Sequence, residues 1–283
     1  MTKPSNPDIY RPSEVPESLR PYVRRILIAD SNEHVDMSVD VCATGYHYLG
    51  WIWRGRWQGI VNGETRFDSD IDGPLHLSGQ VNKSAVAAGF QRDIGQIFLE
   101  LSVLGHFQLL GITGARMLED AAAPHVLNSA LKPHLEIILN ATDLSTNERL
   151  ELLADTLSQL PKNSVSFKTV AAVERIEAAD GNIRVSDLIT ELGLAERQFR
   201  TDFKALIGLN PKAFCKTLQI DQALNHLLMS NGGDLAGVAA DTGFSDQAHF
   251  TRAYRDFLGK APGEHLKNVE ATLARFAGQS RHY

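Results

Sequence analysis

At 283 residues the chain is long enough for two domains, and its formal net charge of −6 lacks the cationic excess on which indiscriminate nucleic-acid binding rests. Hydrophobic residues at 43% and charged residues at 22% exclude a disordered, collagenous or coiled-coil protein. Apolar runs such as 103–112 are interrupted, there by Gly105, His106 and Gln108, and fall short of the roughly 20 residues needed to span a bilayer, so no membrane partner is expected.

The N-terminal stretch mixes prolines and charges where a signal peptide needs an unbroken apolar core, so a cytoplasmic chain is expected, with residues 1–20 as a flexible segment. Cys42 and Cys215 lie far apart and show no metal-ligand spacing, which reads as two reduced thiols.

From Tyr22 to about Ser102 short β-rich runs alternate with glycines and turn residues. Trp51 and Trp53 share one strand face while Ile52 takes the other, and the Asn62-Gly63 pair predicts a hairpin. Beyond Leu101 the spacing becomes helical at Leu104, Phe107 and Leu110. Ser145 followed by Glu148 is a capping-box pattern, after which Leu150, Leu153, Leu157 and Leu160 form a stripe that ends at Pro161. That stripe either pairs two chains in a homodimer or packs on the chain's own sheet.

From Phe167 onward amphipathic helices account for nearly every residue, and two units repeat. VSDLITELGLAERQFRTDFKALIGLNP matches DLAGVAADTGFSDQAHFTRAYRDFLGKAP in order: Leu188 and Gly193 with Val238 and Gly243, Phe199 and Phe203 with Phe250 and Tyr254, Gly208 with Gly259, Pro211 with Pro262. Each unit reads as a short helix, a glycine turn and a longer helix, the order of a helix-turn-helix. Between them Leu218 to Met229 predicts a linker helix that buries Ile220, Ala223, Leu224, Leu227 and Leu228. The fold class is α+β: a β-rich, barrel-like domain with closing helices over 21–160, then an all-α domain over 167–270 with two helix-turn-helix units joined by a linker helix, and a tail over 271–283.

At these residues the chain resembles the AraC/XylS family of bacterial transcription regulators. The stretch from Gly243 to His265 is similar to the family signature, and ELGLAERQFRTDFKALIGLNPKAF resembles the preceding unit. The resemblance implies double-stranded DNA and RNA polymerase as partners, no cofactor, no enzymatic activity, and an N-terminal domain that senses a small molecule or dimerises. It implies DNA contacts from Arg197, Arg200, Thr201 and Lys204 on the first reading helix, and from Gln247, Ala248, His249, Arg252 and Arg255 on the second. Offsets of three and four put the first set opposite Phe199 and Phe203, the second set falls on the corresponding face with Phe250 and Tyr254 inward, and arginine and glutamine can read guanine and adenine edges.

Three departures stand out. Ile189 replaces the small residue kept at Ala239, Ala195 stands where Ser245 is expected to cap the second reading helix, and Gln219 stands where the linker helix usually has arginine.

In the first half Tyr48, Trp51, Trp53 and Trp57 either line a ligand cavity or form ordinary core. The rival to a regulator is a metal-dependent, cupin-like barrel enzyme with an accessory helical domain. Against it, the chain has no H-E-x-x-H, G-x-S-x-G or P-loop motif, and His34, His47, His76, His106, His125 and His134 are scattered without H-x-H spacing.

Overall fold

The computed structural model describes residues 10–41, 45–81, 86–229, 234–259 and 261–263. Cys42, the 271–283 tail and the Leu228 side chain lie outside the described residues. The strands are β1 (Tyr10–Ser13), β2 (Val23–Asp40), β3 (Tyr48–Val61), β4 (Glu64–Asp68), β5 (Leu75–Ser78), β6 (Val86–Leu101) and β7 (Ala121–Ala122). Short helices α1 (Ser69–Asp72), α2 (Gly105–Leu110) and α3 (Pro124–Leu127) lead to α4 (Lys132–Leu139) and α5 (Thr146–Gln159). The C-terminal part is helical: α6 (Phe167–Ala178), α7 (Val185–Glu191), α8 (Glu196–Ile207), α9 (Pro211–Met229), α10 (Leu235–Asp241) and α11 (Gln247–Leu258).

The strands form one antiparallel sheet ordered β1-β2-β6-β3-β5-β7, with β4 pairing off β3. The sheet is open where the sequence suggested a barrel, because the terminal strands β1 and β7 are short and do not pair with each other. β1 falls within the segment expected to be flexible, and so does the fully buried Leu19. The hairpin at Asn62-Gly63 is present, with φ of 51° and 82°, the two positive angles of a tight turn matched to strand twist.

Alternation divides the sheet into two apolar faces. Ile26, Ile28, Leu49, Trp51, Ile97 and Leu99 point to one, Leu27, Ala29, Ile52 and Phe98 to the other. The first face is covered by Leu135 and Ile138 of α4 and by Leu153 and Leu157 of α5. α5 begins with the expected capping box, the Ser145 amide donating to Glu148 Oε2 at 2.8 Å. Its leucine stripe is therefore packed on the chain's own sheet, which leaves it unavailable as the dimer helix considered from sequence.

Residues 161–166 join α5 to α6 and are pinned down. Lys162 Nζ donates to the carbonyls of Leu157, Ser158 and Leu160 at 2.8, 2.9 and 2.7 Å, and the Asn163 amide donates to Gln108 O at 2.9 Å. A further cluster crosses from sheet to helices: Tyr46, Val103 and Leu104 pack with Val173, Ile176, Phe199, Phe203 and Phe214. The sheet domain and the first helix-turn-helix unit thus share one core.

Candidate nucleic-acid interface

Each C-terminal unit is a seven-residue helix, a turn and a twelve-residue helix. The turns pivot on Gly193 at φ 56° and Gly243 at φ 78°, left-handed angles that glycine adopts without a Cβ clash. After each, an amide reaches back over the glycine, Leu194 N–H to Ile189 O and Phe244 N–H to Ala239 O, both at 2.9 Å. Phe199 and Phe203 in α8, and Phe250 and Tyr254 in α11, are buried as expected.

The two turns differ in length. Residues 192–195 separate α7 from α8, whereas 242–246 separate α10 from α11, one residue more. That residue moves the cap. Asp246, not Ser245, caps α11, its Oδ1 accepting the His249 amide at 2.6 Å. Ser245 Oγ instead lies 3.2 Å from Asp246 Oδ2 and 3.1 Å from His249 Nδ1. The hydrogen bond from the His249 amide, more than the opposing desolvation, holds the Asp246 carboxyl below its ordinary range. Ala195 at the start of α8 provides no side-chain cap. The longer turn was visible in the repeat, where the glycines are 50 residues apart and the phenylalanines Phe199 and Phe250 are 51 apart.

Outside their apolar positions both longer helices present polar side chains. Arg197, Thr201 and Lys204 are exposed on α8, and Gln247, Ala248, His249, Arg252 and Arg255 are exposed on α11. Arg200 is half-buried and bonds Glu196 at 2.8 Å, one turn earlier, while Thr201 Oγ1 donates to Arg197 O at 3.0 Å. Aligned by their helix starts, Thr201 matches Arg252 and Lys204 matches Arg255, so each helix sets a cation one turn before its C-terminal end.

The four aromatic residues singled out in the sheet do not converge on one cavity. Trp51 and Trp53 meet edge to face, with the Arg149 guanidinium 5.2 Å from each ring. Tyr48 donates its hydroxyl to Glu100 at 2.6 Å. Trp57 lies on the other face, because the β3–β6 register shifts twice between Ile52 and Arg56 and reverses the alternation. There it stacks on the buried His76 ring at 3.8 Å, with Phe67 and Phe98 around it. Burial lowers His76 to about 3. Among the described residues no group of His, Cys, Asp and Glu is placed to hold a metal ion, and no helix is long and apolar enough to cross a membrane. The buried Cys215 thiol is pushed up to about 11 by burial.

Sequence reasoning missed the pairing of His47 with His106. Far apart in the chain, they stack at 3.8 Å where the sheet meets α8. No spacing rule links them, since only the packing of α2 against the start of β3 brings them together.

A family model described as a helix-turn-helix domain matches residues 188–268. The chain is 30% identical over 92 residues to the HTH-type transcriptional regulator ExsA of Pseudomonas aeruginosa, covering 32% of this chain and 33% of that protein. It is 28% identical over 145 residues to the probable transcriptional regulator LumQ of Photobacterium leiognathi, covering 46% and 58%. The chain thus spans less than two thirds of the length of these relatives. ToxT of Vibrio cholerae O395 superposes with a TM-score of 0.47 at 12% identity, over 87% of this chain and 98% of that one. With its two turn glycines, four buried aromatic side chains and linker helix in place, the C-terminal part of this chain is a helix-turn-helix domain.

Proposed function

We propose that the chain is a sequence-specific DNA-binding transcription regulator, an activator whose sheet domain responds to a small molecule. The observation that carries this reading is the pair of helix-turn-helix units, each with a polar outer face on its second helix over its own apolar core. The names of its relatives support it. On this reading α8 and α11 enter successive stretches of major groove. Arg197, Thr201, Gln247, Ala248, His249 and Arg252 then face base edges, while Arg200, Lys204 and Arg255 face phosphates. RNA polymerase is the partner through which such a regulator acts, and the function is binding, not turnover, in the cytoplasm.

Asp246, Asp202 and Glu196 lie on or beside these faces and repel phosphate, so non-specific affinity is modest and base contacts carry a larger share of the binding. For the effector, the Trp57–His76–Phe67–Phe98 cluster offers both aromatic surface and buried imidazole nitrogens without partners. Genome-wide footprinting with tagged full-length protein tests the reading. Enrichment at a small set of promoters that share one motif is expected, and no enriched site under any growth condition would overturn it.

A further inference from the structure

His47, just before β3, and His106 on α2 are fully buried, and their rings stack with centroids 3.8 Å apart and planes 20° from parallel. His106 Nε2 donates to Leu206 O at 3.1 Å, a carbonyl in the last turn of α8 that has no partner further along the helix. Neither nitrogen of His47 has a hydrogen-bond partner. Beside this contact the 3-10 turn Gly114–Arg116 lies against the same helix end, so closely that a Cβ at Gly114 would collide with the Ile207 carbonyl. The sheet domain therefore adds two polar and backbone contacts at the tail of the first reading helix, one imidazole and one glycine, to the apolar core that the two share.

We propose that His106, stacked on His47, clasps the tail of α8 to the sheet domain, and that protonation of this imidazole pair releases the first helix-turn-helix unit from that clasp. The clasp itself stands on the domain contact; only its consequence for DNA rests on the function proposed above.

The stack tolerates two neutral rings and opposes two charged ones. A His47 cation would have no acceptor on either nitrogen, and two stacked imidazolium rings repel. Burial holds both groups neutral. It lowers His106 to about 4, against the smaller opposing effect of the Leu206 and Val103 carbonyls, and lowers His47 well below its ordinary value, with His106 adding to the effect. The elements around this seam carry Tyr22, Arg24, Tyr46, Tyr48, Glu100, Arg116, Glu177, Glu196, Arg197, Arg200, Asp202, Lys204 and Cys215 among their titratable groups, and none of these contributes to either shift.

The sign follows from where protons bind. The closed seam excludes protons that the opened rings accept near pH 6.5, so closure is favoured above that pH and weakens as pH falls through it. Each ring contributes about tenfold to the opening equilibrium between pH 7.5 and 5.5, and the pair about 100-fold.

Hydrogen exchange on the full chain without DNA tests this, so a failure of DNA binding cannot be confused with a failure of the clasp. After correction for intrinsic rates, protection at residues 205–209 should fall about 100-fold from pH 7.5 to 5.5, with α11 changing by less than about threefold. In His47→Phe with His106→Gln, whose amide can still donate to Leu206 O but does not titrate, the α8 tail should lose this pH dependence. Constant protection of the wild-type α8 tail, equal loss at α11, or an unchanged pH dependence in the double variant would each overturn the clasp. Should circular dichroism show that the double variant does not fold, the wild-type comparison of the α8 tail with α11 decides alone.

Discussion

Lys216 of α9 holds its ammonium nitrogen 3.8 Å from the centre of the Phe244 ring, which ties the linker helix to the turn of the second helix-turn-helix unit. Burial, aided by the charge of Lys212, lowers Lys216 to about 8. Between this value and the roughly 10.4 of an unfolded lysine, the unfolded chain binds more protons, so the Lys216 contribution to stability rises with pH across that window. Wild type should gain on Lys216→Met between pH 8 and 10 in denaturant titrations. A difference that stays flat with pH would contradict the placement.

Ala195 leaves the start of α8 without the side-chain acceptor that Asp246 gives α11. Ala195→Ser should stabilise the chain by about 1 kcal/mol, by accepting an amide in the first turn. Chemical denaturation measures this directly, and no gain would show that the turn already satisfies those amides another way.

The same asymmetry bears on DNA. A capped, preordered α11 should discriminate bases more sharply than α8, so Arg252→Ala should relax sequence preference more than Arg197→Ala. Lys204→Ala should weaken binding to all sequences alike. Selection from a random DNA pool with the three variants separates these outcomes, and equal or greater relaxation from Arg197→Ala would reverse the assignment.

Leu153 and Leu157 lie under the sheet, so truncating them acts on stability and not on assembly. Leu153→Ala should cost about 2 to 5 kcal/mol, the range for a leucine removed from a packed core. Sedimentation of the folded fraction should match wild type. A changed oligomeric state with unchanged unfolding would restore the stripe as an interface.

Glu100 is a buried carboxylate that receives Arg24 at 2.5 Å, Arg25 at 2.6 Å and the Tyr48 hydroxyl at 2.6 Å. Burial alone would raise its pKa, but the charges of Arg25 and Arg24 outweigh it and hold the group below its ordinary value. Its stabilising effect is therefore complete above the unfolded carboxylate pKa and is lost as pH falls through the lowered folded value. Glu100→Gln should cost about 3 to 5 kcal/mol at neutral pH, because two arginines lose their buried counter-charge, and should flatten the acid side of the stability profile. Thermal melts from pH 7 to 3 check both parts.

The sequence by itself determined the local features: the capping box at Ser145, the hairpin at Asn62-Gly63, both helix-turn-helix units and the inward direction of Phe199, Phe203, Phe250 and Tyr254. Each follows from the spacing of residues close in the chain, where a period of two or of 3.6 fixes which side chains share a face. Even the displaced cap at Asp246 was present as a one-residue difference in the repeat. Tertiary structure alone decided the rest, because it depends on residues far apart in sequence. The double register shift near Gly55 turns Trp57 away from Trp51 and Trp53, so four aromatic residues that look like one wall belong to two faces. The leucine stripe of α5 could equally suit a partner or a sheet, and only the packed fold shows which surface covers it. His47 meets His106 within the sheet domain, and His106 meets Leu206 a hundred residues further on, where no local period operates and only tertiary packing brings them into contact.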